Sequence, residues 1–564
     1  MDSHLNASEK QPDLISSNDD ETPNHLERIP TIEQNNYHGL TPKCIIVYLA
    51  VLFVGFAQMM VIVTSGLLTR SMVADIGGQS KSQWMSQTVP IINLALGSPV
   101  AQAADYWGRK WPMFVSCVLA IVGCVIVSRA TNIETALAGN VLASSSTGTQ
   151  PLLFAIASEI LPRRFRPAAQ GGLTGIFAIG AIVALLMGSA VTNHSIDGWR
   201  IVWYFTTGLF AFAGAAFLFL YNPPSRFEQV NFTLSQKLKR LDWVGIIVLP
   251  VSVTVFVIGL TWSDNPYSWK NGHVLGPFIV GIVLLLALVG YEAFVKKDGL
   301  FNHKLFRHDR NFSIALFLIF VEGMAFFVAN TFLPLEVSVL YSTNPIMVGF
   351  NFSIVFICAT VSTILASIYC SWSRSLRWPV VMSYSGFVLF YGRYTPKNCQ
   401  RITDKIQVTM LTLRLGDSKN VYGYPVFLGL GLGGCLTLVV VAAQFSAPPE
   451  LLAIGSGALI TARSFGAAIC LPIANAIFSS QISKNLPHEI AEAVLPLGVS
   501  PENLGLFIQA LSGHDSAVLG AIPGVTPQII GAGAHALQHA YLLSLRPVHA
   551  FGLAVSAIAV IGKY

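Results

Sequence analysis

Apolar runs of about 18 or more residues recur along nearly the whole chain, and each is long enough to cross roughly 30 Å of hydrocarbon as a helix. A bilayer is therefore the solvent this sequence is matched to. Where no water reaches the backbone, only helices or closed barrels can span, and unbroken apolar runs lack the alternation of barrel strands. Composition agrees: 53% of the 564 residues are hydrophobic and 11% are charged, against about 25% charged in a soluble domain. The expected fold class is an all-α polytopic membrane protein.

Reading apolar runs against polar breaks places spans near Cys44–Leu68, Trp84–Ala104, Trp111–Ser128, Thr135–Ala157, Ala168–Val191 and Ile201–Tyr221. Next come Trp243–Leu260 and Val274–Phe294, then Phe312–Leu335, Ile346–Tyr369, Pro379–Tyr391, Tyr422–Ala443, Leu451–Phe478 and a last span ending at Ile561, fourteen in all. The implied organisation is a disordered cytoplasmic tail over residues 1–41, a six-helix bundle over 42–222, a linker with two inserted spans over 223–298, and a second six-helix bundle over 299–564 that carries a long outward loop, residues 480–547. The tail is polar and has no apolar core of a signal peptide.

The formal charge of +6 is spread through short loops, which reads as a topology signal rather than a nucleic-acid footprint. With the N-terminus inside, Arg109, Lys110, Arg163, Arg164, Arg166, Lys237, Lys239, Arg240, Lys296, Lys297, Lys304, Arg307, Arg310, Arg374 and Arg377 all fall on inward loops. One outward loop breaks the rule, with Arg393, Lys397, Arg401, Lys405, Arg414 and Lys419. The span before it is also too short to cross a bilayer at about 1.5 Å per residue. Removing Gly392–Gln407 joins Pro379–Tyr391 to Val408–Leu413 and removes four of those charges, so residues 392–407 look inserted. Codons for Gly392, Thr403-Asp404 and Gln407 can spell a splice donor, branch point and acceptor, as in a retained intron; a genuine polar external loop is the alternative. Seven of the eight cysteines lie in or beside apolar spans without CxxC spacing, which argues against a disulfide framework or metal centre.

Ionisable groups inside a bilayer are expensive and become functional candidates by default. Glu322 and Arg463 both fall near the midplane of their spans. Glu322 could load and release a proton as access alternates, or the two could form a structural pair holding helices together. Gln58, Asn140, Gln150, Asn330, Asn351 and Gln444, with the aromatics Phe326, Phe327 and Phe352, are cavity-lining candidates, and each can equally be packing glue. Asn193 heads an outward sequon, Asn193-His194-Ser195, close to the membrane.

The turn after the second span reads Ala101-Gln102-Ala103-Ala104-Asp105-Tyr106-Trp107-Gly108-Arg109-Lys110. It resembles the loop signature GxxxDxxGRK of the major facilitator superfamily, with Ala101 where that family usually has Gly. Gly108 permits the reversal, and Asp105 can accept bonds from Arg109 or from helix N-termini. In the fifth span Gly171, Gly180 and Gly188 match the register of the family's antiporter motif, while Ala184, Leu185 and Ser189 depart from it. Asn140 and Gln58 stand where many drug:proton antiporters have ionisable residues, so proton coupling does not carry over to those positions. Leu241-Asp242-Trp243-Val244-Gly245-Ile246 and the tryptophans Trp262 and Trp269 resemble the inserted pair of the fourteen-helix branch, two six-helix bundles with two extra helices between them. Gln150-Pro151-Leu152-Leu153, Glu159–Pro167 and the outward loop are similar to the fungal trichothecene efflux pump family.

That resemblance implies a monomeric secondary transporter, with no cofactor or metal, that exports toxic secondary metabolites or xenobiotics across the cell membrane by proton antiport. A vacuolar or vesicle membrane is the alternative location. Siderophore-iron uptake by proton symport is the alternative activity, since those relatives share the helix plan. A transport-inactive sensor or a misannotated gene product is a third reading, fed by the inserted stretch and by the end at Gly562-Lys563-Tyr564. No nucleophile, metal cluster or phosphate loop appears at chemical spacing, which argues against an enzyme.

Overall fold

A computed structural model describes residues 42–161, 165–222, 233–262, 267–296, 303–342, 344–373, 375–392, 422–448, 451–512 and 525–561, with isolated positions at 299, 519 and 522–523. The expected tail, residues 393–407 of the expected insertion, and Arg163, Arg164, Lys297 and Arg374 lie outside the described residues. Residues Lys43–Tyr564 form one compact unit.

The long helices are α1 (Pro42–Leu67), α2 (Gln83–Trp107), α3 (Lys110–Ser128), α4 (Ile133–Ser144), α5 (Gln150–Ile160), α6 (Arg166–His194), α7 (Trp199–Leu220), α8 (Trp243–Thr261), α9 (Gly272–Gly290), α10 (Arg310–Leu340), α11 (Pro345–Ser373), α12 (Arg377–Gly392), α13 (Tyr424–Ser446), α14 (Leu452–Val494) and α15 (Pro527–Ile561). Among the described residues, 11 helices are long and apolar enough to cross a membrane. The other expected spans fail that test for separate physical reasons.

Helix α2 is long but carries Gln87, Asn93 and Gln102, all buried; it can do so because protein, not lipid, surrounds it. The fourth expected span is divided. Between α4 and α5, Ser145–Thr149 tightens into a 3₁₀ turn, where Ser145, Ser146, Thr147 and Thr149 each donate a hydroxyl to the carbonyl three residues back, at 2.6–2.8 Å. A run of hydroxyl residues offers the backbone this alternative to regular α geometry. The described part of α12 has 16 residues, about 24 Å at 1.5 Å per residue.

Two reciprocal seams join the N-terminal helices to the C-terminal ones: α2 packs on α14, and α6 packs on α11. Both rely on small residues that let backbones approach. In the first seam Ser98 Oγ lies 2.7 Å from Thr461 Oγ1, and Gly457 leaves room for Ala101. In the second, a Cβ on Gly171 would run into Ser367, and one on Gly349 would run into Ser189. Helices α8 and α9 pack on each other, and α8 also lies against α2 and α14 at the first seam.

Within the expected outward loop, residues 480–547, α14 continues to Val494 and α15 already begins at Pro527. These extensions, with a short helix Leu504–Ser512, enclose a second hydrophobic core of Ile490, Val494, Phe507, Leu511 and Ile529. Its apolar positions recur at helical spacing, which a boundary drawn at the end of a bilayer-length run discards. Asn485 Nδ2 donates to Ser544 Oγ at 3.0 Å, and His539 Nδ1 lies 2.8 Å from Glu489 Oε2 across the two extensions.

Candidate functional site

Following the charge bias of the loops, the face that carries the Asp105–Lys110 turn is termed inner. Gly108 stands there at φ 86°, a conformation that favours glycine. Beside Asp105, Arg109 has a partner on another helix that the motif did not suggest. The guanidinium, 3% exposed, is bound by both carboxylate oxygens of Glu159 at the end of α5. Lys110 Nζ donates to Asn222 Oδ1 at 2.6 Å. The motif thus ties the α2–α3 turn to the ends of α5 and α7, and Asp105 lies about one turn earlier, on α2, with contacts of its own.

The inner face is closed by a polar knot that joins the two helix groups. Ser158 Oγ donates to Gln444 Oε1 at 2.8 Å, and Gln170 Nε2 donates to Ser158 Oγ at 2.6 Å and to the Phe154 carbonyl at 2.9 Å. Gln102 Nε2 donates to the Gly299 carbonyl at 3.0 Å. On the outer side the groups part around a cavity of about 390 Å³, between the outer ends of α1, α2 and α6 and those of α10, α11 and α14. Its wall includes Gly66, Gln83, Asn330, Ser338, Phe352 and Asn475. The volume falls within the roughly 300–1,000 Å³ of small-molecule pockets.

Of the six polar cavity candidates, Asn330 lines this space, and its Oδ1 has no hydrogen-bond partner among the described residues. The others lie elsewhere. Gln58 Nε2 donates to the Ser146 carbonyl at 2.6 Å and Thr149 Oγ1 at 3.1 Å, so it staples α1 to the 3₁₀ turn. Asn140 accepts from Ser65 Oγ at 2.7 Å and donates to the Met85 carbonyl at 2.9 Å. Gln444 belongs to the inner knot, and Gln150 and Asn351 are buried off the cavity. These amides answer to neighbouring backbone, which spacing alone does not reveal. The α6 glycines serve close packing: Gly171 against α11, Gly180 against the Phe56 carbonyl of α1, and Gly188 against Leu67 and Leu68. Asn193 is exposed in the last turn of α6.

Glu322 and Arg463 are brought together. Arg463 Nε donates to Glu322 Oε2 at 2.6 Å and a terminal guanidinium nitrogen donates to Oε1 at 3.0 Å, with Glu322 fully buried and Arg463 6% exposed. The backbones of α10 and α14 can meet at this level because both present glycine: a Cβ on Gly323 would strike the Arg463 carbonyl, and one on Gly466 the Phe320 carbonyl. The guanidinium carbon lies 5.2 Å from the Phe326 ring centre and 5.6 Å from that of Phe327, within cation–π range. The aromatic candidates Phe326 and Phe327 therefore attend the ion pair, while Phe352 alone of the three lines the cavity.

Sequence reasoning missed a second buried pair. Glu336 on α10 and His549 on α15, 1% and 2% exposed, place Oε2 and Nε2 3.3 Å apart. Both were obscured by span limits: the ninth span was ended at Leu335, and the last was given no start because residues 480–547 read as loop.

Two groups of helices, knotted together on one face and parted around a cavity on the other, define an alternating-access membrane transporter. The family model described as Major Facilitator Superfamily matches residues 47–470, and the chain belongs to that family. It is a multi-pass membrane transporter of small molecules and not an enzyme. It is 26% identical over 402 residues to the MFS-type transporter phomT of Diaporthe leptostromiformis, covering 70% of this chain and 63% of that protein. Over 398 residues it is 24% identical to the efflux pump aflT of Aspergillus parasiticus, covering 70% and 73%. A solved structure of a bacterial homolog to the human lysosomal transporter Spinster, inward-facing and occupied, is similar at a TM-score of 0.49 and 13% identity, over 92% of this chain and 97% of that one.

Proposed function

We propose that this chain exports a small, largely apolar metabolite or xenobiotic by proton antiport, on the fourteen-helix plan, from the cell membrane. The observation that carries this reading is the buried Glu322–Arg463 pair between α10 and α14, a carboxylate near the midplane that takes up a proton when cargo draws the arginine away from it. The name of the relative aflT, an efflux pump, supports the direction. Asn330, which lines the cavity and has an oxygen without a hydrogen-bond partner among the described residues, is the polar contact assigned to the cargo. The sequon Asn193 is a glycan acceptor at the outer rim, and residues 392–407 are absent from the working transporter.

The test is a resistance and accumulation panel in cells expressing the chain with and without residues 392–407. Export predicts lower accumulation of trichothecene-type toxins and higher resistance, with Glu322→Gln abolishing both while still reaching the membrane. Uptake of labelled ferric siderophore with unchanged toxin resistance would reverse the direction. Unchanged pH-dependent export by Glu322→Gln would leave the pair with a structural role.

A further inference from the structure

We propose that Glu336 and His549 form a second proton-binding site, set at the hinge between α10 and α15 on the outer side and distinct from Glu322. Each residue follows a proline by two positions, Pro334 in α10 and Pro547 in α15, and both prolines lie inside their helices. A proline there removes a backbone hydrogen bond and kinks the helix, so the pair joins the two helices where each can bend. Pro334, Leu335 and Ser338 form part of the cavity wall. Glu336 faces away from that wall, onto α15. Movement at the pair is therefore movement of the wall.

The chemistry of the pair makes it titrate as a unit. With one proton on the imidazole, carboxylate and imidazolium offset each other's burial. With that proton lost, Glu336 keeps a buried charge beside a neutral ring, and breaking a buried pair in this way is strongly unfavourable. The outward-parted arrangement is the one that holds the proton. Phe390 and Tyr391 of α12 cover the imidazole, with ring centres 6.2 and 5.9 Å away, and the Tyr391 hydroxyl is occupied by the Ala325 carbonyl at 2.6 Å. Among the described residues, the ionisable groups on the surrounding helices include Tyr384 of α12, which donates to the Leu318 carbonyl, Tyr424 and Cys435 of α13, Tyr341 just past α10, Tyr541 and His535 of α15, Cys470 and Lys484 of α14, the His539–Glu489 and His488–Glu492 pairs farther out, Arg310 and Arg377 at the inner ends of α10 and α12, and Glu322–Arg463 deeper in. Arg546, three residues before His549, is exposed.

This site rests on alternating access and not on the cargo or on Glu322, so it can be tested without either. Spin labels introduced as non-natural amino acids at Ser195 and Glu502, both exposed on the outer face, report the separation of the two helix groups by pulsed electron resonance in lipid nanodiscs. The wild-type population is expected to shift from long to short distances as pH rises, by at most about tenfold per pH unit, the limit for one proton. In Glu336→Gln/His549→Gln, which removes both charges together and so leaves neither one stranded, the distribution is expected to be flat with pH. Glu322→Gln is expected to keep the wild-type response. A double variant that still follows the wild-type pH response overturns the proposal, and so does a response lost in Glu322→Gln but kept in the double variant, whatever becomes of the export reading.

Discussion

The N-terminal and C-terminal helices solve the same packing problem with different chemistry. Inside α1–α7 the buried polar contacts at the middle of the helices are neutral, Gln58 to the Ser146 carbonyl and Asn140 with Ser65 and the Met85 carbonyl, and the Arg109–Glu159 ion pair lies at the inner end. Inside α10–α15 the buried pairs Glu322 with Arg463 and Glu336 with His549 stand beside neutral contacts such as Tyr384 to the Leu318 carbonyl. Neutral bonds lose about 0.5–1.5 kcal/mol when broken, whereas breaking a buried ion pair by removing one partner costs about 3–5 kcal/mol. The N-terminal helices thus form the stiffer scaffold against pH, and charge-dependent rearrangement is concentrated in the C-terminal ones.

The largest effect that can break this comparison is Arg463→Leu. It strands Glu322 without a counter-charge, and thermal unfolding in detergent should show a loss of about 3–5 kcal/mol. Glu322→Gln/Arg463→Gln, which removes both charges, should recover most of it. If the double variant is as damaged as the single one, the ionic character of these helices is incidental and packing at Gly323 decides.

Packing itself is probed next. Gly323→Ala inserts a methyl group against the Arg463 carbonyl, and overpacking of this kind costs about 1–3 kcal/mol. The same change at Gly180 meets the Phe56 carbonyl at 2.8 Å and the Met59 Cβ at 3.2 Å, a looser fit, so it should cost less. Transport should follow the same order, because Gly323→Ala displaces the Glu322–Arg463 geometry and Gly180→Ala displaces only packing.

How far these features were legible depended on the distance over which each is specified. Helix identity is local, and apolar runs displayed it for most spans. The Gly108 turn was legible because it is one tight reversal followed by a basic pair. Glu322 and Arg463 stood out as charges in apolar surroundings, and their mutual distance followed from glycines whose role depends on the opposing helix. What stayed hidden is non-local. Gln444 reads as a cavity amide until α13 is placed beside Ser158 and Gln170. Glu336 and His549 lie 213 positions apart in sequence, and each sits past a proline where a span limit is naturally drawn. The helices described within residues 480–547 failed to register because their apolar positions recur at helical spacing without forming a bilayer-length run.

A milder change sharpens the neutral half of the comparison. Gln58→Leu removes two hydrogen bonds, but the Ser146 carbonyl still accepts from Thr149 Oγ1 at 2.7 Å. No buried carbonyl is stranded, and the expected loss is about 1 kcal/mol. The pH profile of transport should keep its wild-type shape, with only its height reduced. A shifted profile would mean that the 3₁₀ turn carries coupling and that the N-terminal helices are not a passive scaffold.

The smallest effect belongs to an ion pair that the N-terminal helices do have, at their outer surface. Lys81 Nζ lies 2.6 Å from Glu134 Oε1, and both side chains are more than half exposed. The hydrogen bond from Lys81 is the main reason the Glu134 carboxyl titrates below its ordinary value. A lowered carboxylate contributes stability above its ordinary pKa and loses it as pH falls through the lowered one, so any contribution is present at neutral pH and gone in acid. Water and salt screen charges this exposed. Lys81→Ala should therefore leave the melting temperature at neutral pH unchanged within error, at high and low salt alike. A clear drop at neutral pH that vanishes in acid would show that location, rather than burial, sets the worth of a charge in this fold, and the contrast between the two sets of helices would have to be redrawn.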